Sequence, residues 1–198
     1  MMKKYVIWLV GIVVLVLLFV GVFVLYQRLS GEYAPDSLST EQSVPQTSAD
    51  DSENASGTTD APDFTVFDKD GNQVQLSSFF GKPIVLNFWA SWCPPCKQEM
   101  PDFETAYQNY DDVQFLMVNM TDGARETMES AQAHVAQQGY TFPVFFDTNL
   151  DAADTYRAYS LPMTFFIDKD GKLVAHATGM IDAETLQRGI SMISSEES

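Results

Sequence analysis

Ile84-Val85-Leu86-Asn87-Phe88-Trp89-Ala90-Ser91-Trp92-Cys93-Pro94-Pro95-Cys96 decides the reading of this chain. The first six residues are short, mostly apolar and β-favouring, as expected of a central strand covered on both faces. The last four hold the only two cysteines in the sequence. From Cys96 onward, Met100, Phe103, Tyr107 and Tyr110 follow at alternating steps of four and three, which places all five on one side of a helix. The segment therefore reads as strand, cysteine-bearing turn, helix. Pro101 lies inside the helical pattern, removes one backbone donor and predicts a kink about one turn past the cysteines.

Working outward, Val113 to Val118 is a second buried-strand candidate. Ala124, Met128, Ala131 and Val135 suggest a second helix, with Gly139 placed to end it as a left-handed cap. Val144 to Phe146 follows as a short strand. Met163 to Ile167 and Leu173 to Ala177 are joined by Asp168-Lys169-Asp170-Gly171, which is hairpin chemistry. A final helix begins near Asp182 as N-cap and buries Ala183, Leu186, Ile190 and Ile193. At the front of the domain, Asp63 to Phe67 and Gln73 to Leu76 flank a similar Asp68-Lys69-Asp70-Gly71 turn. This order predicts an α/β sandwich around a central mixed β-sheet, with an N-terminal β-hairpin extension.

The cysteines carry the chemistry. A thiol is a useful nucleophile only as thiolate, and Cys93 falls where unpaired backbone donors and the positive end of a helix dipole would face it. Cys96, one turn later, would lie beneath it. Such a pair can form a mixed disulfide through Cys93 and resolve it through Cys96. A purely structural disulfide across this two-residue gap would remove little chain entropy. Zinc would need two further ligands, and His134 and His176 stand alone, while c-type haem attachment would need His where the chain has Lys97. No metal and no separate cofactor is expected, only a redox-active Cys93–Cys96 disulfide.

Residues 5–26 form an unbroken apolar run that would span about 33 Å as a helix, enough to cross a bilayer. Lys3 and Lys4 precede it and only Arg28 closely follows, so the expected topology is residues 1–4 cytoplasmic, 5–26 a transmembrane anchor and the remainder outside the cytoplasm. A cleaved signal is the rival reading, and it also exports the domain. Residues 27–61 are rich in Ser, Thr, Asp, Glu, Pro and Gln and read as an acidic flexible tether, leaving residues 62–198 as the domain. The formal charge of −16 argues against nucleic acid as a partner.

The run from Asn87 to Pro101, read whole, resembles the active-site signature of the membrane-tethered, thioredoxin-like TlpA, ResA and CcmG group. The similarity extends over most of residues 62–198 and implies a thioredoxin-like sandwich. Leu161-Pro162-Met163-Thr164-Phe165-Phe166-Ile167-Asp168 matches the group's second landmark. The resemblance implies that Pro162 is in the cis form facing the dithiol, and that the main chain of Leu161 pairs with a bound partner's extended segment. It also implies that Glu99 tunes the cysteines as an acid on their helix; spacing alone would equally allow a solvated carboxylate. Trp92, Pro94 and Pro95 complete the expected substrate-binding face, with Trp89 expected in the core. Peroxiredoxins place Pro seven and Thr or Ser three residues before the reactive cysteine, where this chain has Leu86 and Ala90.

The resemblance thus implies a bacterial cell-membrane enzyme, single-pass and signal-anchored, with its catalytic domain extracytoplasmic. Its expected activity is thiol-disulfide oxidoreductase, acting as a protein-disulfide reductase on disulfide-containing exported proteins. Apocytochrome c, and with it cytochrome c biogenesis, is the expected substrate context, and a CcdA- or DsbD-like membrane dithiol protein the expected electron donor. Tyr159-Ser160-Leu161 lacks the glycine-rich approach to Pro162 typical of CcmG and places the chain nearer ResA. A disulfide-forming oxidase and a non-catalytic, chaperone-like binding module are the alternatives.

Overall fold

The structure is a computed structural model that describes residues 39–40 and 59–194. Its elements in chain order are β1 (Ser39–Thr40), β2 (Thr59–Asp60), β3 (Thr65–Phe67), β4 (Gln73–Gln75), a 3-10 turn (Leu76–Phe79), β5 (Ile84–Trp89), α1 (Pro94–Asn109), β6 (Gln114–Asn119), α2 (Met128–Gln138), β7 (Val144–Phe146), α3 (Asp151–Thr155), β8 (Met163–Ile167), β9 (Lys172–Thr178) and α4 (Ala183–Ser194). They form a thioredoxin-like α/β fold around one mixed sheet. Its order is β1-β9-β8-β5-β6-β7-β3-β4, with β2 also on β9. Strands β5, β6 and β7 run parallel, while β8 and β9 add antiparallel on the other side of β5.

Strand alternation sorts β5 between two cores. Val85 and Trp89 join Phe115 and Met117 of β6 in a cluster with Cys96, Met100 and Phe103 of α1 and Leu186, Ile190 and Ile193 of α4. Ile84, Leu86 and Phe88 point the other way, into a cluster with Phe64, Val66, Leu76, Ala152 and Tyr156 from the hairpin and α3. Asn87 shares the parity of Val85 and Trp89 and so belongs to the α1 side. Its position decides much of the chemistry below.

The expected elements are recovered with local differences. The second helix begins at Met128 rather than near Ala124, because Thr127 caps it and Asp122 Oδ1 accepts the N–H groups of Ala124, Arg125 and Glu126 in a preceding loop. Gly139 ends that helix in the left-handed region at φ 75°, as its position predicts. Helix α1 continues through Pro101. Asp182 Oδ1 accepts from Thr185 N–H at the start of α4. The five-residue α3 has no clear signal in the sequence; Asp147 supports its first turn by accepting from Ala152 and Ala153 N–H.

One expectation is corrected. Among the described residues no helix is long and apolar enough to cross a membrane; α1, the longest, has 16 residues and polar ones throughout, whereas a span needs about 20 apolar residues. The transmembrane helix expected over 5–26 lies outside the described residues, so the fold is stated without it. The membrane tether, the membrane as a partner, the signal-anchor reading and the single-pass cell-membrane location with an extracytoplasmic domain go with it. So do exported proteins, apocytochrome c and a membrane dithiol donor, which depended on that topology. Most of the expected tether also lies outside the described residues; its pieces Ser39–Thr40 and Thr59–Asp60 pair antiparallel with β9.

Candidate active site

Strand β5 delivers the chain to the cysteine turn, and α1 begins directly after Cys93. Cys93 is the N-cap residue: its backbone is extended (φ −88°, ψ 110°) and its Sγ accepts the Cys96 N–H at 3.3 Å. Pro94, in the first helical turn, loses nothing there by lacking an N–H. The sulfurs are joined in a Cys93–Cys96 disulfide with the Cα atoms 5.3 Å apart. Cys96 is fully buried, and Cys93 is only 2% exposed. The fold thus presents a redox-active disulfide at a helix N-terminus, where a thiolate on Cys93 would meet both a backbone donor and the favourable end of the dipole.

Glu99 is one turn beyond Cys96 and turned inward, at 1% exposed, rather than solvated. Its Oε1 accepts from Asn87 Nδ2 at 2.8 Å and its Oε2 from Ile181 N–H at 3.0 Å. Burial dominates its titration and pushes the carboxyl up to about 8; those two hydrogen bonds oppose the shift and the charge of Asp102 adds to it. Asn87 Nδ2 also donates to Thr164 Oγ1 at 3.1 Å across the β5–β8 ladder, in which Asn87 and Thr164 are directly paired.

The same ladder pairs Phe88 with Met163, so the residue before Met163 stands at the end of β5 where the cysteine turn begins. That residue is Pro162, and the Leu161–Pro162 bond is cis. Pro162 is buried and its carbonyl accepts from Gly179 N–H, while half-buried Leu161 packs against the cysteine-side core. Pro94 is exposed and Pro95 half-buried. Trp92 is half-buried beneath the guanidinium of Arg125, which sits 3.5 Å from its ring centroid; Trp89 is fully buried. The expected site residues therefore lie at one end of the sheet, around α1 and the head of β8.

Several neighbours were missed in the sequence. Glu126, itself fully buried, accepts from both Ser91 N–H and Ser91 Oγ and so ties the loop before the cysteines to the β6–α2 loop that carries Arg125. Asn87 and Thr164 were readable in principle: each is a lone polar residue inside a strand buried along its whole length, and such a group calls for a buried partner. Glu126 sits among loop residues and had no such signal. His134 packs by Trp89 and Tyr140, and His176 stacks on Phe165.

A thioredoxin fold with a disulfide at the N-terminus of its first large helix defines a thiol-disulfide oxidoreductase. The AhpC/TSA family model matches residues 58–176. The chain is 35% identical over 134 residues to the thiol-disulfide oxidoreductase ResA of Bacillus thuringiensis subsp. konkukian, covering 68% of this chain and 76% of that protein. It is 33% identical over 143 residues to ResA of Bacillus subtilis, covering 71% and 78% respectively. In structure it resembles the pneumococcal exposed lipoprotein thioredoxin Etrx1 of Streptococcus pneumoniae, with TM-score 0.56 and 31% identity over 66% of this chain and 98% of that one. The chain belongs to the TlpA/ResA/CcmG-like family of thioredoxin-fold thiol-disulfide oxidoreductases.

Proposed function

We propose that the protein works as a protein-disulfide reductase in which Cys93 is the nucleophile, Cys96 the resolving thiol and Glu99 the proton acceptor. In the dithiol form the Cys93 thiolate attacks one sulfur of a partner's disulfide. A Cys93–partner bond forms, the partner's S–S bond breaks, and the departing partner thiolate takes a proton from solvent. Cys96 then gives its proton to the Glu99 carboxylate and attacks Cys93 Sγ, releasing the second partner thiolate. The partner has gained two electrons and the protein holds the Cys93–Cys96 disulfide.

The observation that carries this reading is the N-cap position of Cys93, whose Sγ already accepts the Cys96 N–H. A negative sulfur there is stabilised before any partner arrives. In this reading Trp92, Pro94 and Pro95 form one wall of the partner's landing surface and Leu161-Pro162 the other, with the Leu161 main chain pairing to an extended segment. The catalytic unit is the domain expected over residues 62–198.

Trapping tests the reaction. A Cys96→Ser variant should stall as a mixed disulfide through Cys93 with a disulfide-containing peptide, and Cys93→Ser should form none. Equal trapping through either cysteine would reverse or remove the assigned roles. A reduction potential above about −180 mV would place the couple among oxidases and overturn the proposed direction.

A further inference from the structure

Asn87 is the least explained residue of the site. It lies in the middle of β5, fully buried, and its Nδ2 spends both N–H groups, on Glu99 Oε1 and on Thr164 Oγ1. Its Oδ1 is buried with no partner among the described residues. The other carboxylate oxygen, Oε2, also meets a donor, the Ile181 N–H. Every group hydrogen-bonded to Glu99 is thus a donor, which suits a carboxylate. A carboxylic acid carries an O–H that needs an acceptor, and burial favours that acid form.

One rearrangement satisfies both forms. Turning the Asn87 amide over brings Oδ1 to face Glu99 and Thr164. Oδ1 can then accept the O–H of the protonated acid. Thr164, whose hydroxyl can accept or donate, reverses from acceptor to donor. In either state Glu99 and Thr164 are both partnered; in the first the empty position is taken by Asn87 Oδ1, in the second by Nδ2 with both its N–H groups.

We propose that Asn87 is a proton-following positioning residue whose side-chain amide turns over each time Glu99 gains or loses its proton, with Thr164 reversing in step. The inference rests on the role given to Glu99 above: the acid can take the Cys96 proton and return it without a buried group of its own losing its partner. The surroundings are otherwise quiet. From β5 Glu99 meets the neutral Asn87, which is itself held by Thr164 of β8; from the β9–α4 loop it meets a backbone N–H, the adjacent Asp182 being engaged with Thr185 N–H. Its titratable neighbours on α1 are Asp102 and Cys96, and Cys96 does not titrate while it is in the disulfide.

The alternative is a fixed donor, and the two differ in what Thr164 does. If the amide is fixed, removing the Thr164 hydroxyl orphans the same Asn87 N–H in both states of Glu99, and the Glu99 midpoint stays put. If the amide turns, both Asn87 N–H groups already lack these acceptors in the acid state, so removing the hydroxyl orphans a further N–H only in the carboxylate state and the midpoint must rise, by about one pH unit, or tenfold in the protonation equilibrium.

The test is a pH titration of the isotopically labelled, disulfide-form protein by NMR, following Glu99 Cδ and the Asn87 Nδ2H2 pair. Both Asn87 amide protons should move with the Glu99 midpoint, hydrogen-bonded above it and released below it. Thr164→Val should raise that midpoint and Thr164→Ser should restore it. Asn87 signals that ignore the Glu99 titration, a midpoint unmoved in Thr164→Val, or no Glu99 titration between pH 5 and 10 would each overturn the proposal. Cys96→Ser trapping reports separately on the reaction, so its failure alongside a titrating Asn87 would reject the reductase reading and leave the amide rotation standing.

Discussion

Replacing Glu99 by Gln should make the protein more stable at neutral pH and remove most of the pH dependence that this residue imposes. The folded state holds the Glu99 proton up to about 8, against 4.5 for the unperturbed group. Between those values the folded protein keeps a proton that the unfolded chain has released. The contribution is therefore fully present below the unfolded value and is lost as pH rises toward the folded one. Each pH unit in that window corresponds to about 1.4 kcal/mol, so by pH 7 the loss is about 3 kcal/mol. Glutamine resembles the neutral acid in size and polarity and has no proton to lose. The assay is urea unfolding of the disulfide form of both proteins from pH 5 to 9. Burial lowers the His134 imidazole and raises the Asp147 carboxyl, and both groups are present in each protein, so the difference isolates Glu99. The stability of Glu99→Gln relative to the parent should climb through the window and level off above about pH 8. Parallel curves would refute the reasoning, because they would mean that the buried carboxyl titrates alike in both states.

Three further outcomes are expected. Arg125→Ala should cost about 0.5–1 kcal/mol and leave the Trp92 ring more open to acrylamide quenching, since the guanidinium stacked on it is gone; unchanged quenching would mean that the stack does not persist in solution. Glu126→Ala should destabilise by about 2–4 kcal/mol in urea, because the Ser91 N–H and Ser91 Oγ both lose their buried acceptor; a loss below about 1 kcal/mol would show that water replaces the carboxylate. Gly189→Ala should lower the melting temperature despite the better helix propensity of alanine, because a Cβ there would run into the Phe166 ring, and overpacking of this kind costs about 1–3 kcal/mol; a neutral or raised melting temperature would mean that the Phe166 ring can step aside.

Much of the fold was legible because the strands and helices carry their own periodicity. The β5 run, the steps of four and three along α1, and the turn residues before β9 each state a local preference that the tertiary structure keeps. The boundaries that moved did so for reasons outside any periodic pattern. Ala124 looked like the start of a helix, but Asp122 gathers three successive N–H groups and holds that stretch as a loop. Helix α3, with five residues, is too short to show a repeat. The cysteines announced themselves by spacing. Glu99 did not, because a carboxylate three residues past Cys96 points into or out of the core depending on what the facing strand offers. Asn87 provides that information, and it is written 12 residues earlier on a different element.

That dependence explains why the polar part of the site sits in the sheet while the reactive part sits on the helix. A nucleophilic sulfur needs a helix end, and the N-cap position of Cys93 supplies it with one donor from its own turn. A buried acid that must hold and release a proton needs neutral partners kept in place from more than one direction. Strand β5 and the loop before α4 provide them in Asn87 and the Ile181 N–H, and Thr164 of the adjacent β8 holds Asn87 in turn. An apolar residue at position 87 would pack equally well against Val85 and Trp89, but it would leave Glu99 Oε1 facing hydrocarbon. The carboxylate form would then be disfavoured further, and with it the proposed step in which Cys96 gives its proton to Glu99. In the proposed mechanism the single polar interruption of an otherwise apolar β5 is thus part of the redox chemistry, carried by the strand that also leads the chain to Cys93.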